Sequence, residues 1–254
     1  MRHSLFFSAH ILIPLAGILL YLAYMGIRPA DGWEHLTSYV TLLAMAYPAV
    51  IGIVTAMLTD REAKAGHMQN LLAAPSRVKT LSSELLLFLL PGFLAVGIAL
   101  FGYQAVLILK GEAMVLGIRD LFLLIFVLWA SNVPVYVIHL FLGFRFGEGV
   151  TIGAGVGESV ISAVMLTGLG DGVWYVWWPS YGMRFSTMLL ALKQGAGGSL
   201  LRQIRLGGIC YLTVSVLSLV MIFIWFQRFW KDGKRRRNYG VNFGLWMMTC
   251  CYLN

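Results

Sequence analysis

The sequence is short of charge. Asp, Glu, Lys and Arg together make up only 12% of its 254 residues, against 59% apolar residues, and a soluble domain of this size carries about twice that charged share. A water-facing globular fold is therefore excluded as the main body of the chain. Cysteine is nearly as scarce. Cys210 falls in an apolar stretch while Cys250 and Cys251 are adjacent near the end, so there is no Cys-x-x-Cys pair and no metal-ligand spacing. A Walker sequence is also missing: the nearest glycine-rich stretch, Gly153 to Ser159, lacks the Gly-Lys pair that holds phosphates. His-Glu-x-x-His and Gly-x-Ser-x-Gly do not occur, and the five histidines are scattered. The expectation is a non-enzyme with no catalytic residue, no metal and no cofactor held by this chain itself.

What the chain does have is apolar length. Crossing about 30 Å of hydrocarbon takes about 20 apolar residues. Six stretches qualify: Leu5 to Met25, Thr37 to Leu58, Leu85 to Leu109, Leu121 to Leu142, Val150 to Leu169 and Gly207 to Phe229. They are far too long for barrel strands, so the expected fold class is all-α integral membrane with six transmembrane helices. The first stretch follows Met1-Arg2-His3 and could pass for a secretion signal. Its full span length, with no clear small-residue cleavage site after it, argues for a retained helix. With the N-terminus in the cytoplasm, 12 of the 19 Lys and Arg residues fall inside and 7 outside, so both termini are expected there. The net charge of +8 is mostly this bias plus the run Lys234 to Arg237, which suits anionic headgroups; no nucleic-acid partner is expected. Residues 1–232 read as a membrane domain and 233–254 as a basic run with a short apolar tail.

Two segments outside the spans carry information. Thr59-Asp60-Arg61-Glu62 has a hydroxyl three residues before a carboxylate, which is the spacing of a capping box and sets Asp60 and Glu62 at the positive end of a new helix. Ala65, Met68 and Leu72 then share one stripe, Arg61, Lys64, His67 and Asn70 lie mainly elsewhere, and Pro75 stops the helix before Arg77. The result is an amphipathic cytoplasmic helix, either a connector lying on the headgroups or a docking helix for a soluble partner. In the second segment, Trp174, Tyr175, Trp177, Trp178 and Tyr181 crowd around Pro179, the signature of a membrane interface. Met183 to Leu192 is apolar but too short to cross. It reads either as part of an external re-entrant pair of short helices or as a helix lying flat on the outer surface.

Inside the spans, Gly149, Gly153 and Gly157 recur every four residues and form a candidate packing seam, within the chain or between subunits. Glu158 lies roughly mid-span, where a carboxylate is a functional hypothesis by default; protonation or pairing with a group such as Asn132 is the alternative. His10 and His139 read as ordinary intramembrane polar residues bonded to a neighbouring helix.

Six spans, a helix between the second and third, and an external hydrophobic segment between the fifth and sixth resemble the permease subunits of type-2 ABC exporters. More narrowly, the stretch Glu62 to Arg77 resembles the cytoplasmic loop of lantibiotic-immunity ABC permeases, and Thr167 to Trp174 with Trp178-Pro179 resembles the same group. The resemblance implies a subunit in a bacterial plasma membrane that pairs with a second permease and with two copies of a cytoplasmic ATPase carrying ATP and Mg. It implies expulsion of an antimicrobial peptide from the producer's own membrane. By the same resemblance Asp60, Glu62, Lys64, Gly66, Met68, Leu72 and Arg77 belong to the ATPase-coupling helix, and the turn Gly143 to Glu148 is a smaller contact. Trp174, Trp177, Trp178 and Pro179 form the external segment that meets substrate. Export of another peptide, lipid or drug is the alternative within this class, and sequestration of the peptide by the chain alone is the alternative outside it.

Overall fold

The computed structural model describes residues 2–27, 30–64, 76–111 and 113–251, with side chains described for most of 6–228. The described residues are helical and include no strand. In chain order the helices are α1 (Arg2–Met25), α2 (Gly32–Lys64), α3 (Arg77–Leu109), α4 (Ile118–Ser131), α5 (Val133–Phe146), α6 (Glu148–Leu166), α7 (Tyr181–Lys193) and α8 (Ser199–Cys251). Three single 3-10 turns, Gly168–Gly170, Trp174–Val176 and Trp178–Ser180, link α6 to α7.

Six helical stretches are long and apolar enough to cross a membrane: Phe6–Met25, Gly32–Glu62, Val78–Leu109, Ile118–Phe146, Glu148–Leu166 and Ser199–Arg228. They coincide with the six expected spans, and the chain is a multi-pass membrane protein. Large apolar side chains such as Leu20, Leu94, Val160 and Leu212 point outward, as the lipid-facing side of a bundle requires. Successive crossings put the C-terminal end of α2, the N-terminal end of α3 and Gly147 on one face of the membrane and 167–198 on the other. Spans two and three lie in long helices. Each helix has 33 residues, about 50 Å at 1.5 Å per residue, and so projects beyond the hydrocarbon.

The fourth span is two helices in series. Pro134 at the start of α5 has no N–H to give, and the break falls at Asn132, whose amide donates to the Leu128 carbonyl at 2.8 Å. That side-chain bond occupies a carbonyl of the last α4 turn. The next connection is equally short: Gly147 alone separates α5 from α6, at φ +89° and ψ −177°, a backbone region open essentially to glycine.

The capping-box expectation is corrected. Thr59 lies inside α2 rather than at the start of a new helix; it is 3% exposed, and its hydroxyl donates to Thr55 O at 3.0 Å. A hydroxyl satisfied by its own preceding turn leaves no reason for the helix to stop there. Asp60 and Glu62 consequently sit at the C-terminal end of α2, where the dipole disfavours carboxylates, and each has a cation beside it. Lys64 Nζ meets Asp60 at 2.6 Å and Arg61 meets Glu62 at 3.0 Å. Gly66, Met68 and Leu72, the middle of the expected coupling helix, lie outside the described residues, as does the side chain of Arg77.

Candidate functional site

Among the described residues, a buried cluster of polar side chains lies between α5 and α6. His139, fully buried, places Nε2 2.9 Å from Glu158 Oε2 and Nδ1 2.8 Å from Thr151 Oγ1. The connection explains why one ring reaches both. His139 precedes Gly147 by eight residues, while Thr151 and Glu158 follow it by four and eleven, so in the hairpin the imidazole sits at a depth between its two partners. With Glu158 ionised, Nε2–H donates to the carboxylate and the Thr151 hydroxyl donates to Nδ1. Every polar position of the ring is then used.

Glu158 therefore has a partner, but it is His139 and not Asn132. Asn132 is turned to a different neighbour: its amide abuts Gly182 at the start of α7, where any side chain would collide with it. The polar contact is roofed by α2. A Cβ on Gly52 would lie 2.6 Å from Thr151 O and 3.4 Å from His139 Cε1, and a Cβ on Gly155 would lie 2.6 Å from Pro48 O. Gly52 and Gly155 thus let α2 and α6 approach backbone to backbone, and Ala49 N donates to Ser159 Oγ at 3.0 Å across the same contact.

The expected seam of Gly149, Gly153 and Gly157 is not this contact. Each is exposed, and no atom lies within 4 Å of an added Cβ at any of the three, so within the chain the face is open. The fifth-span glycine that packs is Gly155, halfway round the helix from the expected ones.

On the other face of the membrane, the aromatic segment is a packed structure. Trp174 is 1% exposed and its ring occupies the space a side chain on Gly207 of α8 would need. The expectation that Trp174 meets substrate is corrected: it is a wedge between the turn and α8, held by apolar burial. Pro179 is buried as well, while Trp177 and Trp178 are partly exposed. Their indole N–H groups have no hydrogen-bond partner among the described residues.

Arg184, on α7, ties the segment together. Its guanidinium donates to Met165 O from Nε at 2.8 Å and again from Nη2, and Nη2 also reaches Asp171 at 3.1 Å. It thereby satisfies a carbonyl at the C-terminus of α6 that the helix leaves open, and it lies 5.9 Å over the Trp174 ring. Tyr181 donates to Tyr175 O at 2.8 Å, and burial pushes its phenol up to about 12, so it remains a donor at neutral pH. From Gly182 beside Asn132, α7 runs alongside α4 to Lys193, which pairs with Asp120 at 2.6 Å.

Sequence reasoning expects His139 to bond a neighbouring helix, as it does, but does not name Glu158 as its partner and leaves Thr151, Arg184 and Gly155 unassigned. For His139 a signal was present: two ionisable groups flanking Gly147 at similar distances, in adjacent antiparallel spans, must meet at similar depth.

No family model, curated protein or solved structure matches this chain.

Proposed function

We propose that this chain is the permease subunit of an ATP-driven exporter that removes a lantibiotic-type antimicrobial peptide from the plasma membrane of a bacterial producer cell. The observation that carries the reading is the segment between the fifth and sixth spans. It folds back on the bundle: α7 begins at Asn132, in the middle of the fourth span, and ends at Asp120, at that span's edge. In this reading the segment is a re-entrant helix on the outer face, which supports one of the features behind the resemblance to type-2 ABC exporters. Its innermost part, Pro179, Ser180 and the first turn of α7, is buried by protein, the condition for irregular chain at membrane depth.

In this reading ATP and Mg belong to a cytoplasmic partner that seats against the connection 60–77, and a second permease completes the pathway. The long helices α2 and α3 carry movement at that connection into the membrane. Movement of α2 acts on α6 through Gly52 and Gly155, and on the His139–Glu158 contact beneath them. At the outer face, the exposed parts of the Trp177 and Trp178 rings meet the peptide, while Trp174 and Arg184 hold the platform in place.

Co-expression tests this. The chain with its ATPase and sister permease should lower cell-associated peptide and raise peptide in the medium, and the chain alone should give a sensitive cell no protection. Trp177→Ala with Trp178→Ala should reduce release while ATP hydrolysis and membrane insertion persist. Protection by the lone chain would favour sequestration, and protection by the complex with no fall in bound peptide would remove export.

A further inference from the structure

A cavity of about 350 Å³ lies between α1, α2 and α3, away from the polar contact and from α7. Its walls are Ile13, Gly17, Leu43, Val50 and Val96 with tyrosine rings, and no acidic or basic side chain other than His10 lines it. The tyrosine hydroxyls with known bonds are turned to protein. Tyr39 donates to Ala99 O, Tyr21 donates to His35 O, and Tyr47 and Tyr136 bond each other. The lining therefore asks nothing polar of an occupant.

Shape narrows the choice. On α1 the lining runs from Ala9 to Tyr24 and on α2 from Tyr39 to Val54, each about 22 Å along the helix axis. A peptide helix about 10 Å across would take roughly 1,700 Å³ over that length, more than the whole empty space of about 1180 Å³ between the helices. Leu20 and Leu42 line the cavity and are also exposed on the outer surface, at 73% and 48%. The slot thus opens sideways, between α1 and α2, onto the same surface that faces the bilayer chains.

We propose that this slot is a binding site for one hydrocarbon chain of a membrane lipid, entering laterally between α1 and α2. Water does not fill an apolar void of this kind, and an empty one forfeits the dispersion contacts of its lining. The solvent at its mouth is hydrocarbon, already aligned with the long axis of the slot. The site is independent of the exporter reading and stands or falls without it.

The test uses the purified full-length chain in phosphatidylethanolamine and phosphatidylglycerol vesicles with a trace of phosphatidylcholine bearing a diazirine midway down one acyl chain. After photolysis, labelled residues are mapped by mass spectrometry. Label should concentrate on Ile13, Leu43 and Val50 relative to outward-facing Leu94 and Ile209. No atom lies within 4 Å of an added Cβ at Gly17, so Gly17→Leu fills the slot without a backbone clash. It should cut the slot label about fivefold, the change that roughly 1 kcal/mol of lost contact produces, and leave label at Leu94 and Ile209 unchanged. Ala46→Phe, at the mouth, gives the same readout should Gly17→Leu disturb insertion. Even labelling of slot and surface, or slot label unaffected by either variant, overturns the proposal.

Discussion

Two faces of α6 carry glycine, and they have opposite fates. Gly155 lies against the backbone of α2 at Pro48 and Gly52, while Gly149, Gly153 and Gly157 meet open space. The regular every-fourth-residue pattern belongs to the open face. What distinguishes the packed face is the company Gly155 keeps: Thr151, Glu158 and Ser162, all buried, follow the same stripe. In lipid, a stripe of polar side chains has to turn toward protein, because hydrocarbon offers them no partner. Small residues permit a close approach, and polar ones decide on which side it happens.

The sharpest way to break this comparison is to remove the polar half of the packed face. Glu158→Ala leaves the buried His139 Nε2–H unsatisfied, about 1–3 kcal/mol, and opens a cavity where the side chain packed, so it should lower stability by about 3–4 kcal/mol in all. Thermal unfolding in detergent, followed by size-exclusion fluorescence, measures it. The double variant His139→Leu with Glu158→Leu should recover most of the loss. If the double variant is as unstable as the single, the pair is not what holds the two helices.

Next in size is Gly155→Leu. Its Cβ would press on Pro48 O at 2.6 Å, and overpacking against backbone should remove about 3 kcal/mol, with α2 and α6 pushed apart. Cysteines introduced at Ala49 and Ser159 should then cross-link less. Undiminished cross-linking would mean that the contact tolerates a side chain, contrary to the geometry.

Gly147→Ala strains the turn that brings both faces into position. At φ +89° the change should take about 2 kcal/mol from stability. Melting temperatures of this variant and of Gly149→Ala, two residues on, separate backbone strain from a simple change of side chain.

The smallest effect on the single chain belongs to Gly153→Leu. Stability should stay within about 0.5 kcal/mol of the parent, as for exposed positions generally, while co-purification of the proposed second permease falls. Equal co-purification would give the open face to lipid.

Much of the fold was legible because span length is set by the bilayer and can be read residue by residue. The site was less so. Glu158 stood out as a charge in an apolar run, but its partner depended on a single-residue turn at Gly147 that fixes the depth of His139. Thr59 misled because a hydroxyl followed by a carboxylate looks the same at a helix start and at a helix end. Which one it is depends on whether the preceding turn continues, and α2 continues to Lys64. Trp174 misled for a related reason: aromatic rings at a membrane boundary serve equally as surface and as wedge, and only the space at Gly207 separates the two roles.

The bond from Ala49 to Ser159 joins residues 110 positions apart. During synthesis at roughly 5–20 residues per second, the second span is complete and released about 6–22 s before the span it grips exists. For that interval the groove at Gly52 stands open to the lipid around the ribosome's exit channel. The newborn chain is thus a four-span intermediate with a vacant seat, and any insertion chaperone that guards it must let go when the fifth span arrives.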